Sequence, residues 1–184
     1  MLLHGLLLNQ FRQFVVEAAG REAWLELTQV ANTGTDAYQI SGTYPDADLA
    51  ALVAAAARRQ GQPEAVLLEA FGRFLVPTLL RVYGSLLDPA WRTLDVIART
   101  EETVHRAVRL RDPTASPPVL GARREGADVV LIDYASPRRL CPVAEGIARG
   151  LAEHFGERVE VTQPACMLRG DPRCAIRVRT LLSA

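Results

Sequence analysis

Lysine is absent: all 21 basic residues in this chain of 184 are arginine, so Schiff-base chemistry on lysine and a lysine general base are excluded. Net charge is absent too. The arginines are balanced by 21 acidic residues, leaving no long-range field to draw the protein onto nucleic acid or an anionic membrane, and neither is expected as a partner. No long uninterrupted apolar run is present. The opening MLLHGLLLNQFRQFVVEAAG is broken by His4, Asn9, Gln10, Arg12 and Gln13 and shows no basic leader with a small-residue cleavage site. It therefore reads as a buried helix of a cytoplasmic protein. Cysteine is scarce, and three is an odd number, which favours reduced thiols or metal ligands over a disulfide framework. G-x-S-x-G, P-loop, H-E-x-x-H and G-x-G-x-x-G motifs are missing, as is a recognisable carboxylate pair, so an enzyme is not expected.

What remains is a chain 49% hydrophobic and 23% charged, suited to one globular domain with room for a large ligand. An apolar stripe (Leu6, Phe11, Phe14, Val15, Ala18) predicts a first helix from Leu2 to Ala19, stopped at Gly20, and a second from Arg21 to Ala31. The Gly/Thr/Asn-rich stretch Asn32 to Pro45 reads as a loop, and Asp46 as the cap of a helix over Asp48 to Arg59. Helices are predicted from Pro63 to about Leu86, broken at Pro77, and from Pro89 to about Leu110, followed by a loop over Pro113 to Pro118. Beyond it, ADVVLIDYAS, RVEVTQPACM and CAIRVRT read as strands and Arg139 to Phe155 as one long helix. The expected fold class is α+β in a single domain over 1–184. A helical part (about 1–112) packs on an antiparallel sheet carrying one long helix (about 113–184).

Of the three histidines, His105 lies beside the apolar stripe of its helix, flanked by Val104 and Val108, while His4 and His154 stand in terminal or polar contexts. Alone, such a histidine carries no ligand claim. Tyr134, Ser136 and Arg138 alternate at a predicted strand end, where they would point one way and offer a phenol, a hydroxyl and a guanidinium to a pair of carboxylates.

Taken together, the order His105, Pro117-Pro118, Tyr134/Ser136/Arg138 resembles the H-NOX family of haem nitric oxide and oxygen binding domains. The L-H-G start, the A-Y-x-x-x-G-x-Y-P loop, F-G-R-F-L-V-P at Phe71 to Pro77, and V-H-R-A-V…P-x-A-S-P-P from Val104 to Pro118 extend the resemblance over nearly the whole chain. It implies haem b held between the helical part and the sheet. His105 becomes the proximal iron ligand, Tyr134, Ser136 and Arg138 the propionate clamp, and Pro118 a residue packed on the porphyrin that helps distort it. The ligand's other ring nitrogen needs an acceptor that the sequence does not identify.

The resemblance also bears on the gas. Oxygen-binding members place a distal tyrosine nine residues after the motif tyrosine; here that position is Val143. The other alignable distal positions, Phe11, Phe74 and Leu75, are apolar, so nitric oxide and carbon monoxide are expected to bind, with little affinity for oxygen. A bacterial sensor is implied, in which nitric oxide weakens the bond to His105. With no output domain in view, the expected partner is a separate histidine kinase or cyclic-di-GMP enzyme. A haem enzyme such as a peroxidase lacks a distal acid or base.

Cys166 and Cys174 flank a Gly170-Asp171-Pro172 turn and would face each other across a hairpin, with Cys141 opening the preceding helix. Three thiolates suit zinc, which wants four ligands. The arrangement resembles a subset of bacterial H-NOX proteins with a zinc or redox site. Gln163 stands where a further ligand is expected, leaving His154 or Asp171 as substitutes. The rival reading is a thiol or zinc redox sensor on Cys141, Cys166 and Cys174.

Overall fold

The computed structural model describes residues 2–112 and 115–181. Pro113 and Thr114, which open the loop expected before the sheet, lie outside the described residues. Two compact units, Met1–Phe71 and Gly72–Ala184, divide the chain.

In the first unit a short strand β1 (Leu2–His4) pairs antiparallel with β2 (Thr43–Pro45), so the expected first helix starts three residues late. It starts at Gly5 because His4 turns its Nδ1 back to accept from the Leu6 N–H at 3.2 Å, capping α1 (Gly5–Ala31). The expected stop at Gly20 is a kink with no intervening loop. Gly20 sits at φ 87°, which a side chain would resist, and helical geometry resumes on either side. After α1 the chain returns through a loop closed by Trp24, whose Nε1 donates to the Asp36 carbonyl at 2.8 Å. α2 (Asp46–Gln60) begins with Asp46 and Asp48 in its first turn, favourable against the positive helix end; Pro45, not Asp46, holds the capping position. Phe11, 0% exposed, meets Phe71 edge-on at 5.2 Å between centroids. Burial of a side chain that size contributes about 1.5–3 kcal/mol.

The second unit is a four-stranded antiparallel sheet in the order β3-β4-β6-β5, with β3 Val119–Arg124, β4 Val129–Ala135, β5 Arg158–Ala165 and β6 Cys174–Leu181. One face is set by alternation. Val130, Ile132 and Tyr134 on β4 stand opposite Val178, Ile176 and Cys174 on β6, and all six are buried. The helices α4 (Thr93–Arg99) and α6 (Cys141–His154) supply Leu94, Ile97, Ala148 and Leu151 to the same core. β3 has no counterpart among the expected strands. Its VLGARR sequence is that of an exposed edge, tied to α4 by Arg124 Nη2 to Asp95 Oδ1 at 2.6 Å.

The helix α3 (Glu64–Tyr83) runs through Pro77 without the expected break. A proline there removes the N–H that would bond the Arg73 carbonyl, and that carbonyl faces Gly150 of α6. A Cβ at Gly150 would lie 3.2 Å from the Arg73 oxygen and 2.7 Å from Val76 Cγ2, and one at Gly72 would lie 2.3 Å from the Val143 oxygen. Backbone-to-backbone packing against α6 accompanies the continuity of α3 through Pro77.

Candidate functional site

His105 sits in a widened turn. Between α4 and α5 (Arg106–Arg111) residues Glu101–His105 form a π-helical segment, in which the His105 N–H donates to the Thr100 carbonyl five residues back at 3.0 Å. Thr100 and Thr103 donate their hydroxyls to the carbonyls of Val96 (2.7 Å) and Arg99 (2.8 Å), four residues back in each case.

The imidazole is 13% exposed and its Nδ1 lies 2.9 Å from Glu101 Oε2. The same carboxylate accepts from Arg109 Nη2 at 2.5 Å, on Oε1, and from the Leu120 N–H of β3 at 3.3 Å. Burial lowers the His105 pKa, only partly offset by Glu101 and the Pro118 carbonyl. For Glu101, burial works to raise the pKa, but the hydrogen bonds from His105 and Arg109 outweigh it and the net shift is downward. Both directions fit one arrangement, in which the imidazole donates Nδ1–H to an ionised Glu101 and Arg109 is the cation. With Nδ1 so engaged, Nε2 is the nitrogen the ring can offer a metal.

Tyr134 and Ser136 share the buried side at the end of β4. Burial pushes the Tyr134 phenol up to about 12, against a hydrogen bond with Ser136 that works the other way. Arg138 lies beyond the strand. β4 ends at Ala135, and Ser136 to Arg139 form a turn in which the Arg139 N–H donates to the Ser136 carbonyl at 3.0 Å and Arg139 takes a left-handed φ of 52°. The Arg138 N–H donates to Ser136 Oγ at 3.3 Å, and its Nη1 to the Ser116 carbonyl at 2.7 Å. Because Val119 pairs with Ala135, the Ser116–Pro118 segment runs alongside this turn. Phenol and hydroxyl thus meet at the end of β4, while the guanidinium is tied to Ser116 in the segment that leads into β3.

Val143 lies in the first turn of α6, buried, its carbonyl against Gly72. On α3, Leu75 is buried and Phe74 half-buried; Phe11 belongs to the first unit.

The three cysteines converge. Cys141, at the first position of α6, lies 3.7 Å from Cys166 Sγ to Sγ, and all three sulfurs lie within 4.8 Å of one another, fully buried. Burial pushes the thiols of Cys141 and Cys174 up. The side chain of Gln163 reaches Cys141, while neither expected substitute joins the cluster among the described residues. Asp171 Oδ2 accepts from the Cys166 N–H at 2.7 Å, and exposed His154 packs edge-on against Phe155.

Glu101 and Arg109 escape a motif-based reading. Their signal is there as spacing: Glu101, His105 and Arg109 recur every four residues, on one side of a helix.

The family model described as Haem-NO-binding matches residues 4–163. No curated protein matches the sequence. Among solved structures, the H-NOX protein of S. oneidensis in its Fe(II)NO state has a TM-score of 0.91 at 24% identity, covering 98% of this chain and 100% of that one. The Shewanella oneidensis SO2144 H-NOX domain in its Fe(II)CO state has a TM-score of 0.87, with the same identity and coverage. The unliganded Fe(II) H-NOX protein of K. algicida has a TM-score of 0.86 at 18% identity, over 98% of both chains.

Proposed function

The chain belongs to the Haem-NO-binding family, and from that premise we propose that it holds haem b on His105 and senses nitric oxide, acting as one functional domain over 1–184. The observation that carries this reading is the placement of His105: an imidazole only 13% exposed whose Nδ1 is held by Glu101 at 2.9 Å, so that Nε2 is left for iron. The donor set around it suits the rest of the group. Tyr134, Ser136 and Arg138 would hold the two propionates, and Pro118 would pack on the porphyrin. When bound, the haem supplies a ferrous iron that takes up nitric oxide and carbon monoxide, and the relatives solved with those two gases support the same pair here.

The distal residues Phe11, Phe74, Leu75 and Val143 bring no hydrogen-bond donor in their side chains, which supports low affinity for oxygen. The chain would report to a separate effector, a histidine kinase or a cyclic-di-GMP enzyme, in the cytoplasm, without catalysis of its own. Among the described residues no helix is long and apolar enough to cross a membrane. The three-thiol cluster supports zinc as a second metal on Cys141, Cys166 and Cys174.

Absorption spectra of the reduced protein, alone and with nitric oxide, carbon monoxide and air, test the reading. Haem bands that shift with the first two gases, and vanish in a folded His105→Ala variant, are expected. A stable oxygen complex would overturn the gas selectivity, and unchanged bands in His105→Ala would overturn the ligand.

A further inference from the structure

Resting on the haem reading above, we propose that Glu101 is an anionic positioning residue behind the His105 ligand, and that Arg109 sets how much of its charge reaches the imidazole. Three donors converge on this carboxylate: His105 Nδ1–H at 2.9 Å, Arg109 Nη2 at 2.5 Å and the Leu120 N–H at 3.3 Å. The bond from β3 fixes the carboxylate to the sheet, and the π turn sets it four residues before the histidine on the same side. It is therefore a held acceptor, not a side chain that happens to pass the ring.

The chemistry follows from the charge. A carboxylate draws the Nδ1 proton more strongly than a neutral carbonyl does, since charge-assisted hydrogen bonds are about twice as strong. Electron density then rises at Nε2, which strengthens the bond to iron and favours the oxidised metal. Arg109 acts from the opposite oxygen. Its guanidinium, 42% exposed, pairs with Oε1 and draws charge away from the side that faces His105. One carboxylate is thus shared between a push toward the iron ligand and a pull toward solvent, and the two partners should shift the same observable in opposite directions. A purely structural clamp would weaken in one direction whichever partner is lost.

The test uses haem-loaded Glu101→Gln, which keeps side-chain size, and Arg109→Gln, which shortens the side chain; each removes one charge. Resonance Raman spectra of the reduced proteins read the iron–histidine stretch, and spectroelectrochemistry reads the reduction potential. Glu101→Gln should move the stretch to lower wavenumber and the potential upward; Arg109→Gln should move both the other way. Should Glu101→Gln fail to retain haem, Arg109→Gln alone decides, because a stiffer bond is the reverse of what loosening the fold gives. Both variants shifting alike, or neither shifting with haem still on His105, overturns the proposal. Wild-type protein that binds haem without an iron–histidine stretch overturns the His105 reading, and this proposal with it.

Discussion

Tyr134 on β4 stands directly across the ladder from Cys174 on β6, so a residue of the candidate carboxylate clamp and a residue of the thiol cluster share one buried patch. Burial first, and then the neighbouring cysteines, push the phenol up to about 12; Tyr38 in the first unit is likewise raised to about 12, chiefly by burial. Unfolded tyrosines ionise near 10. Between these values the unfolded chain releases protons that the folded chain keeps, so the stabilisation is complete below pH of about 10 and is lost as pH rises toward about 12. Denaturant midpoints across that range should fall, and Tyr134→Phe should flatten part of the slope. Cys174→Ser should let Tyr134 ionise at lower pH, read by phenolate absorbance.

Removal of a clamp donor should speed haem loss. A hydrogen bond to a charged group contributes about 1.5–3 kcal/mol, which corresponds to roughly ten- to a hundred-fold in dissociation rate. Arg138→Ala should reach that range and Ser136→Ala fall short of it, measured by haem transfer to an excess of a scavenging protein. Equal rates for wild type and Arg138→Ala would remove Arg138 from the clamp.

The thiol cluster should bind zinc more tightly as pH rises. Burial raises Cys141 and Cys174 above the usual thiol range, so the metal must displace protons to bind. Zinc titration with a chromophoric chelator at two pH values checks the sign. Gln163→His, which supplies an imidazole beside Cys141, should tighten binding further, because tetrahedral zinc gains a fourth ligand.

Gly72→Ala should destabilise the fold by about 1–3 kcal/mol, the usual cost of overpacking, because its new methyl would fall 2.3 Å from the Val143 oxygen. Gly84→Ala, with open space around the added carbon, is the control. Thermal melts of the two variants should differ clearly.

Sequence patterning carried the helix-then-sheet order, the three strands with β-branched runs and the meeting of the cysteines, because those rest on periodicity and hairpin geometry. β3 has no clear signal because its VLGARR sequence has only two large apolar residues, adjacent rather than alternating, and as an edge strand it buries little. Pro77 misled because a proline breaks a helix only where nothing else holds it, and Gly150 sits many residues away. The alternation that would point Arg138 with Tyr134 and Ser136 holds only along a strand, and β4 ends at Ala135; the Ser136–Arg139 turn then carries the guanidinium to Ser116. The acceptor behind His105 stands at a legible four-residue spacing, but the π turn in which it sits leaves no signal in composition.

The contact of Gly72 with the Val143 carbonyl acts as a ruler. Where side chains meet, a pocket wall can drift as rotamers change or as mutations trade one volume for another. Where two main chains touch, the spacing is fixed by the polypeptide itself. Phe74 and Leu75 follow Gly72 by two and three residues, and Val143 is the residue it touches. The proposed gas-facing residues would thereby be gauged from both helices to one reference point, and substitutions among these apolar side chains would alter the chemistry there without moving the frame.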